Sequence, residues 1–107
     1  MNESEGMLEK IYYKSIPPIK VVYSSMMGIL NPDFSGTISG CYYLSKAEAI
    51  KDFKINKKIK PSRKYIGMIY ACYVERLIWH YDSNDYEPDG NGYVVEYNHI
   101  IREKDYE

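Results

Sequence analysis

Gly40-Cys41-Tyr42-Tyr43-Leu44-Ser45 runs straight into Lys46-Ala47-Glu48-Ala49-Ile50, and this junction decides the fold class. The first half is an apolar, aromatic strand. The second half opens a helix, because Ser45 and Glu48 stand at the S-x-x-E spacing of a capping box, in which each side chain takes one orphan backbone N–H. A strand feeding a capped helix is an α/β signature. It also sets the Tyr42-Tyr43 pair at the mouth of a strand-to-helix turn, where the chain is open to a ligand.

Outward from this junction, further elements follow. The helix begun at Lys46 extends to about Lys54. Before it, residues 34–40 contain Gly36 and Gly40 and read as a loop. Ile19, Val22, Tyr23, Met26, Met27 and Leu30 recur at i, i+3, i+4, i+7, i+8 and i+11, which predicts a helix over residues 19–30 ending at Asn31-Pro32-Asp33. Ser15 would cap its approach, with Pro17 and Pro18 tolerated in a first turn. Residues 8–13 predict a first strand, after a flexible start at residues 1–6. Residues 65–74 are apolar on both faces, as a central, doubly covered strand requires, and continue toward Ile78 and Trp79. Residues 81–92 carry Asp82, Asp85, Glu87, Pro88, Asp89 and two glycines and predict an exposed loop. Residues 93–97 form a last strand. The expected architecture is a single α/β (α+β) domain over residues 1–107, with a bent or split mixed sheet and two main helices.

Composition narrows the function. At 107 residues with a 45% hydrophobic fraction, the chain supports one globular core. A net charge of -1 gives no global attraction to nucleic acid or anionic membrane. Basic residues do concentrate at Lys54, Lys57, Lys58, Lys60, Arg63 and Lys64 without a carboxylate between them. That stretch reads first as a solvated loop, and otherwise as a phosphate-binding patch, the one place where nucleic acid would be held. No apolar run reaches the roughly 18 residues of a membrane span, and the acidic start Met1-Asn2-Glu3-Ser4-Glu5 is unlike a signal peptide. A cytoplasmic protein with Cys41 and Cys72 as reduced, buried thiols is therefore expected. Thirteen tyrosines stand against two phenylalanines and one tryptophan. Nucleotide bias in the encoding genome would produce that excess, and so would a need for flat, amphipathic contact surface.

Most catalytic signatures are missing. His80 and His99 have no partner at zinc-ligand spacing, residues 36–40 lack the Lys-Ser/Thr of a phosphate-binding loop, and there is no G-x-S-x-G elbow. The acidic residues of 82–89 do not follow the calcium-loop spacing. No metal is expected.

Taken in order, the segments resemble the ADP-ribosyltransferase superfamily, in particular its poly(ADP-ribose)-polymerase-like branch. Ile11-Tyr12-Tyr13-Lys14-Ser15 stands where that family has a strand ending in His-Gly-Thr/Ser. Gly40-Cys41-Tyr42-Tyr43-Leu44-Ser45 is similar to its Gly-x-Tyr strand-to-helix motif, and residues 66–74 to its long apolar strand. His80-Tyr81-Asp82-Ser83 and Gly92-Tyr93-Val94-Val95-Glu96-Tyr97 match its Tyr-Asp-Ser loop and closing Glu-Tyr-x-Val-Tyr strand. The resemblance covers about residues 8–106.

The resemblance implies NAD or ADP-ribose binding, NAD serving as the substrate, with transfer of ADP-ribose to a protein or nucleic-acid target. Tyr42 would stack on nicotinamide, and Tyr13, Ser15, Tyr43 and Phe53 would line the cofactor cleft. Two positions depart from the family: Tyr13 replaces the ribose-holding histidine, and Gly92 occupies the place of the catalytic glutamate. Glu96 shares that strand face four residues on, about 13 Å away at ~3.3 Å per residue. It would reach the cleft only through a bulge near Asn91 and Gly92; otherwise Glu87 or Asp89 substitutes, or the domain is catalytically degenerate. The alternative is a small non-enzymatic interaction protein, of the phage-inhibitor type, that docks through exposed tyrosines. A concave pocket lined by Tyr13, Tyr42 and Phe53 would favour the first reading, and a tyrosine-rich open face the second.

Overall fold

A computed structural model describes residues 19–107. Its centre is a four-stranded, wholly antiparallel sheet in the order β2-β1-β3-β4, with β1 at Val21–Leu30, β2 at Gly36–Tyr43, β3 at Ile69–His80 and β4 at Asp85–Ile100. One helix, α1 at Lys46–Asn56, packs on one face, mostly over β1 and β3. Short 3-10 turns at Arg63–Tyr65 and Glu103–Tyr106 complete the described elements. An α+β class therefore holds, with one helix and no parallel strand pair among the described residues. The expected strand at 8–13, Ser15 and the flexible start lie outside the described residues.

At the junction the Ser45 half of the expected capping box forms, with no return bond from the Ser45 N–H to the Glu48 carboxylate. Ser45 is extended, and its hydroxyl accepts the Glu48 N–H at 3.2 Å. Strand β3 is central, flanked by β1 and β4, and runs through Ile78 and Trp79 to His80. It begins only at Ile69, because Tyr65 closes a 3-10 turn and Gly67 takes φ 94°.

Residues 19–30 do not form a helix; Val21–Leu30 is a strand paired with both β2 and β3. The physical reason lies in its composition. Val-Val-Tyr-Ser-Ser-Met-Met-Gly-Ile-Leu has no charged residue to make the solvated face of a surface helix. Its apolar side chains on both sides suit an interior strand, where β-branched Val21 and Val22 pack well. Residues 36–40 likewise belong to β2, not to a loop. The 81–92 loop shrinks to a turn at 81–84, with Asn84 at φ 55°, and the acidic residues from Asp85 onward lie on β4.

Strand register assigns the two faces, since residues directly opposite across strands project to the same side. The helix face carries Tyr23, Met27 and Ile29 of β1, Tyr43 of β2, Tyr70, Cys72 and Val74 of β3, and Val95 and Tyr97 of β4. Ala49 and Phe53 of α1 pack onto it with Ile101, forming the main core. Cys72 is buried there, but Cys41 is exposed because it sits on the edge strand β2; both are free thiols. No helix of the described residues is long and apolar enough to cross a membrane.

Candidate functional site: the open face of the sheet

The face opposite α1 has no layer of described residues over it. Register places Tyr42, Tyr73, Tyr86, Tyr93 and Trp79 there, beside Glu75 and Glu96. Such a face arises from alternation in β3, whose odd positions from Ile69 to Trp79 point one way and even positions the other. Tyr73 and Tyr93 stack at 4.2 Å between ring centroids. Trp79 meets Tyr86 edge-on at 5.1 Å, and Tyr86 approaches Tyr42 at 6.4 Å. Ser24 lies between Tyr42 and Glu75 in the register, so a small residue leaves room for aromatic reach across the sheet.

Phe34 walls one end. It sits in the β1–β2 turn at φ 65°, rare for a bulky residue, where its N–H donates to the Asn31 carbonyl oxygen at 2.8 Å. Asp33 accepts from the Ser35 hydroxyl at 2.6 Å and from the Ser35 N–H at 2.9 Å, bracing the same turn. Phe34 overhangs a hollow of about 360 Å³ against Pro32, Ile69 and Ile100, and a second of about 200 Å³ against Ile38, Tyr73 and Tyr93. Phe34, Tyr42 and Ile100 each keep more than half of their surface exposed.

The face is electrostatically one-sided. Arg76, the only arginine or lysine in the four strands, lies on the helix side. Burial, and secondarily the Asp89 charge, raises the pKa of Glu75. Burial also raises Tyr73, with Tyr93, Glu75 and Tyr42 contributing. The basic residues gather on the other side of the molecule, where Lys57 lies over the Tyr97 ring at 5.5 Å and Lys60 and Arg63 over Tyr106 at 4.9 and 5.3 Å. Arg63 also pairs with Glu103 at 3.1 Å, so the stretch from Lys54 to Lys64 is partly engaged with its own domain.

The sheet divides the residues drawn together by the resemblance. Tyr42 and Glu96 are on the open face, whereas Tyr43 and Phe53 pack into the core under α1. Tyr42 and Glu96 also lie on the two edge strands with β1 and β3 between them, strands about 14 Å apart at ~4.8 Å per spacing, and the register offsets them by two residues more. Tyr13 and Ser15 lie outside the described residues. A bulge does lie near Asn91 and Gly92, the device by which Glu96 would have reached a cleft: Glu75 pairs with Tyr93 and Leu77 with Pro88, leaving residues 89–92 opposite Arg76 alone. Its effect is to let Asp89 take the Arg76 guanidinium at 2.7 Å, while Glu96 stays paired with Tyr73 and exposed. Among the described residues, no three His, Cys, Asp or Glu side chains cluster as a metal site. No family model, curated protein or solved structure matches the chain.

Sequence reasoning passed over Tyr73, Glu75 and Phe34. The signal for the first two was the alternation Tyr73-Val74-Glu75, legible once 65–80 is read with a period of two. Phe34 had none, since its role depends on a left-handed turn residue.

Proposed function

We propose that this chain is a protein-binding module whose contact surface is the open, aromatic face of the sheet. The observation that carries the reading is the band of Tyr42, Tyr73, Tyr86, Tyr93 and Trp79 on the face that α1 leaves uncovered. Tyrosine and tryptophan give large contact area at low conformational cost and dominate protein interfaces. Glu75 and Glu96, without a cation on the strands of that face, favour a partner carrying apolar and cationic groups. The NAD-binding reading has less support, because Tyr42 and Phe53 stand on opposite sides of the sheet and line no common cleft.

The test is an affinity comparison among parent, Tyr42→Ala/Tyr93→Ala and the helix-side variant Lys51→Glu, alongside calorimetric titration with NAD and ADP-ribose. A protein retained by the parent and by Lys51→Glu but lost with the tyrosine pair supports the proposal. Retention that ignores the tyrosine pair, or NAD binding that depends on Tyr42, overturns it.

A further inference from the structure

Strand β2 is an edge strand of unusual composition. Its eight residues, Gly-Thr-Ile-Ser-Gly-Cys-Tyr-Tyr, include no charge and no proline, and all eight pair regularly with β1 without a bulge. Edge strands present unpaired N–H and C=O groups and are normally protected by lysine, proline, bulges or a covering element. The opposite edge, β4, has those protections: Pro88, Asp85, Glu87, Asp89 and Glu96, and the irregularity at residues 89–92. Among the described residues strand β2 has none of them, and α1 packs mainly over β1 and β3.

The turn geometry identifies the free backbone groups. The Asn31 N–H donates to the Ser35 carbonyl oxygen at 2.8 Å, which makes Asn31 and Ser35 a hydrogen-bonded pair. Hydrogen-bonded and non-hydrogen-bonded pairs alternate along an antiparallel ladder. Thr37, Ser39, Cys41 and Tyr43 therefore direct their backbone groups at β1. Ile38, Gly40 and Tyr42 direct theirs outward, away from the sheet.

We propose that β2 pairs antiparallel with β2 of a second copy about a two-fold axis near Ser39 or Gly40, joining two sheets into one of eight strands. A second copy is favoured over an unrelated strand because the segment is self-complementary. An uncharged strand meets no like charge in its own image. Outward groups on alternate residues fall opposite one another in an isologous antiparallel pair. Side-chain parity then sets Ile38 and Tyr42 of one copy beside those of the other, so the two open faces become one continuous surface.

Sedimentation equilibrium of the full chain, with hydrogen exchange at several concentrations, tests this. A dimer is expected whose dissociation constant rises at least tenfold in Ser39→Lys/Cys41→Lys, because either axis position sets lysine opposite lysine. Those side chains are exposed in the monomer, and circular dichroism checks that the fold persists. Exchange at the Ile38, Gly40 and Tyr42 amides should slow as concentration rises, while Ser39 and Cys41, already bonded to β1, change little. Tyr93→Lys, on the open face, should leave the dimer intact. A parent chain that stays monomeric, a dimer indifferent to the paired lysines, or one broken by Tyr93→Lys alone overturns the proposal.

Discussion

The Tyr70 hydroxyl donates to the Asn56 carbonyl oxygen at 2.6 Å, tying the central strand to the last residue of α1. Tyr70 is buried in the core that Ala49 and Phe53 complete, so this bond fixes the height of the helix above the sheet. Tyr70→Phe keeps the ring and loses the donor. The Asn56 carbonyl still accepts the Ile59 N–H at 3.1 Å, so it is not orphaned. A loss of about 1 kcal/mol is expected, read as a fall in melting temperature of roughly 4–8 °C. A loss no larger than experimental scatter would show that α1 is held by apolar packing alone.

Alkaline pH should destabilise the domain. Burial is the leading cause that raises Tyr70, Tyr73 and Tyr43, and it raises Cys72 as well. Below the unfolded values, about 8.5 for cysteine and 10 for tyrosine, both states keep these protons. As pH rises through those values the unfolded chain ionises first, so the native state binds more protons and stability falls. Urea midpoints should be level near neutrality and drop above about pH 9, with a shallower drop in Tyr70→Phe. A midpoint that rises with pH would contradict the burial of these hydroxyls.

Gly40 makes a separate prediction about β2. A Cβ built there would meet the Ser25 carbonyl oxygen at 1.9 Å and the Met26 Sδ at 2.9 Å. The first contact is with backbone and cannot be relieved by a rotamer change. Gly40→Ala should therefore cost ~1–3 kcal/mol, as overpacking does, while Ser39→Ala next to it, exposed on the other face, should be near neutral. Denaturant unfolding of both variants separates this close strand approach from a general intolerance of β2.

These contacts mark what the sequence could and could not disclose. The Ser45 cap and the centrality of β3 were legible because each rests on local signals: a hydroxyl three residues before a glutamate, and an apolar run too long for an edge. The partners of β3 were not. Residues 19–30 satisfy a helical period by coincidence, since a strand buried on both sides places apolar residues at every spacing. Tyr42 and Tyr43, read as a group with Phe53, are parted by parity, because adjacent strand residues cannot share a face and only Tyr43 projects toward the helix that carries Phe53. The glycines of residues 81–92 read as marks of a loop, and instead they turn the bulge within β4, at φ 86° for Gly90 and 78° for Gly92; the Arg76–Asp89 pair that it serves had no local signal.

That pair gives an acid-side prediction. Hydrogen bonding from Arg76 is the first cause that lowers the Asp89 pKa, followed by the Asn91 N–H. Asp105 is lowered by the Arg102 N–H and then by His99, whose Nε2 lies at 2.7 Å. A depressed carboxylate contributes stability above its unfolded value of about 3.9 and loses it as pH falls through the folded one. Asp89→Asn should lower the melting temperature at neutral pH and flatten its decline below about pH 4. An unchanged acid profile would mean that the bulge is held by its glycine turns and not by Arg76.

Tyr42 separates the functional readings most cleanly. The residue is 63% exposed on the open face, so Tyr42→Ala should leave stability within about 0.5 kcal/mol of the parent, as exposed substitutions do. A binding partner that uses the face should lose at least ~1 kcal/mol with Tyr42→Ala and far less with Tyr42→Phe, because the ring supplies the contact. Calorimetry with NAD should show no heat that depends on Tyr42, and Glu96→Gln should alter neither NAD turnover nor stability, since Glu96 faces Tyr73 and solvent. NAD turnover abolished by Glu96→Gln with the fold intact would reverse this conclusion and restore the transferase reading, because loss of charge at constant volume removes only an electrostatic role.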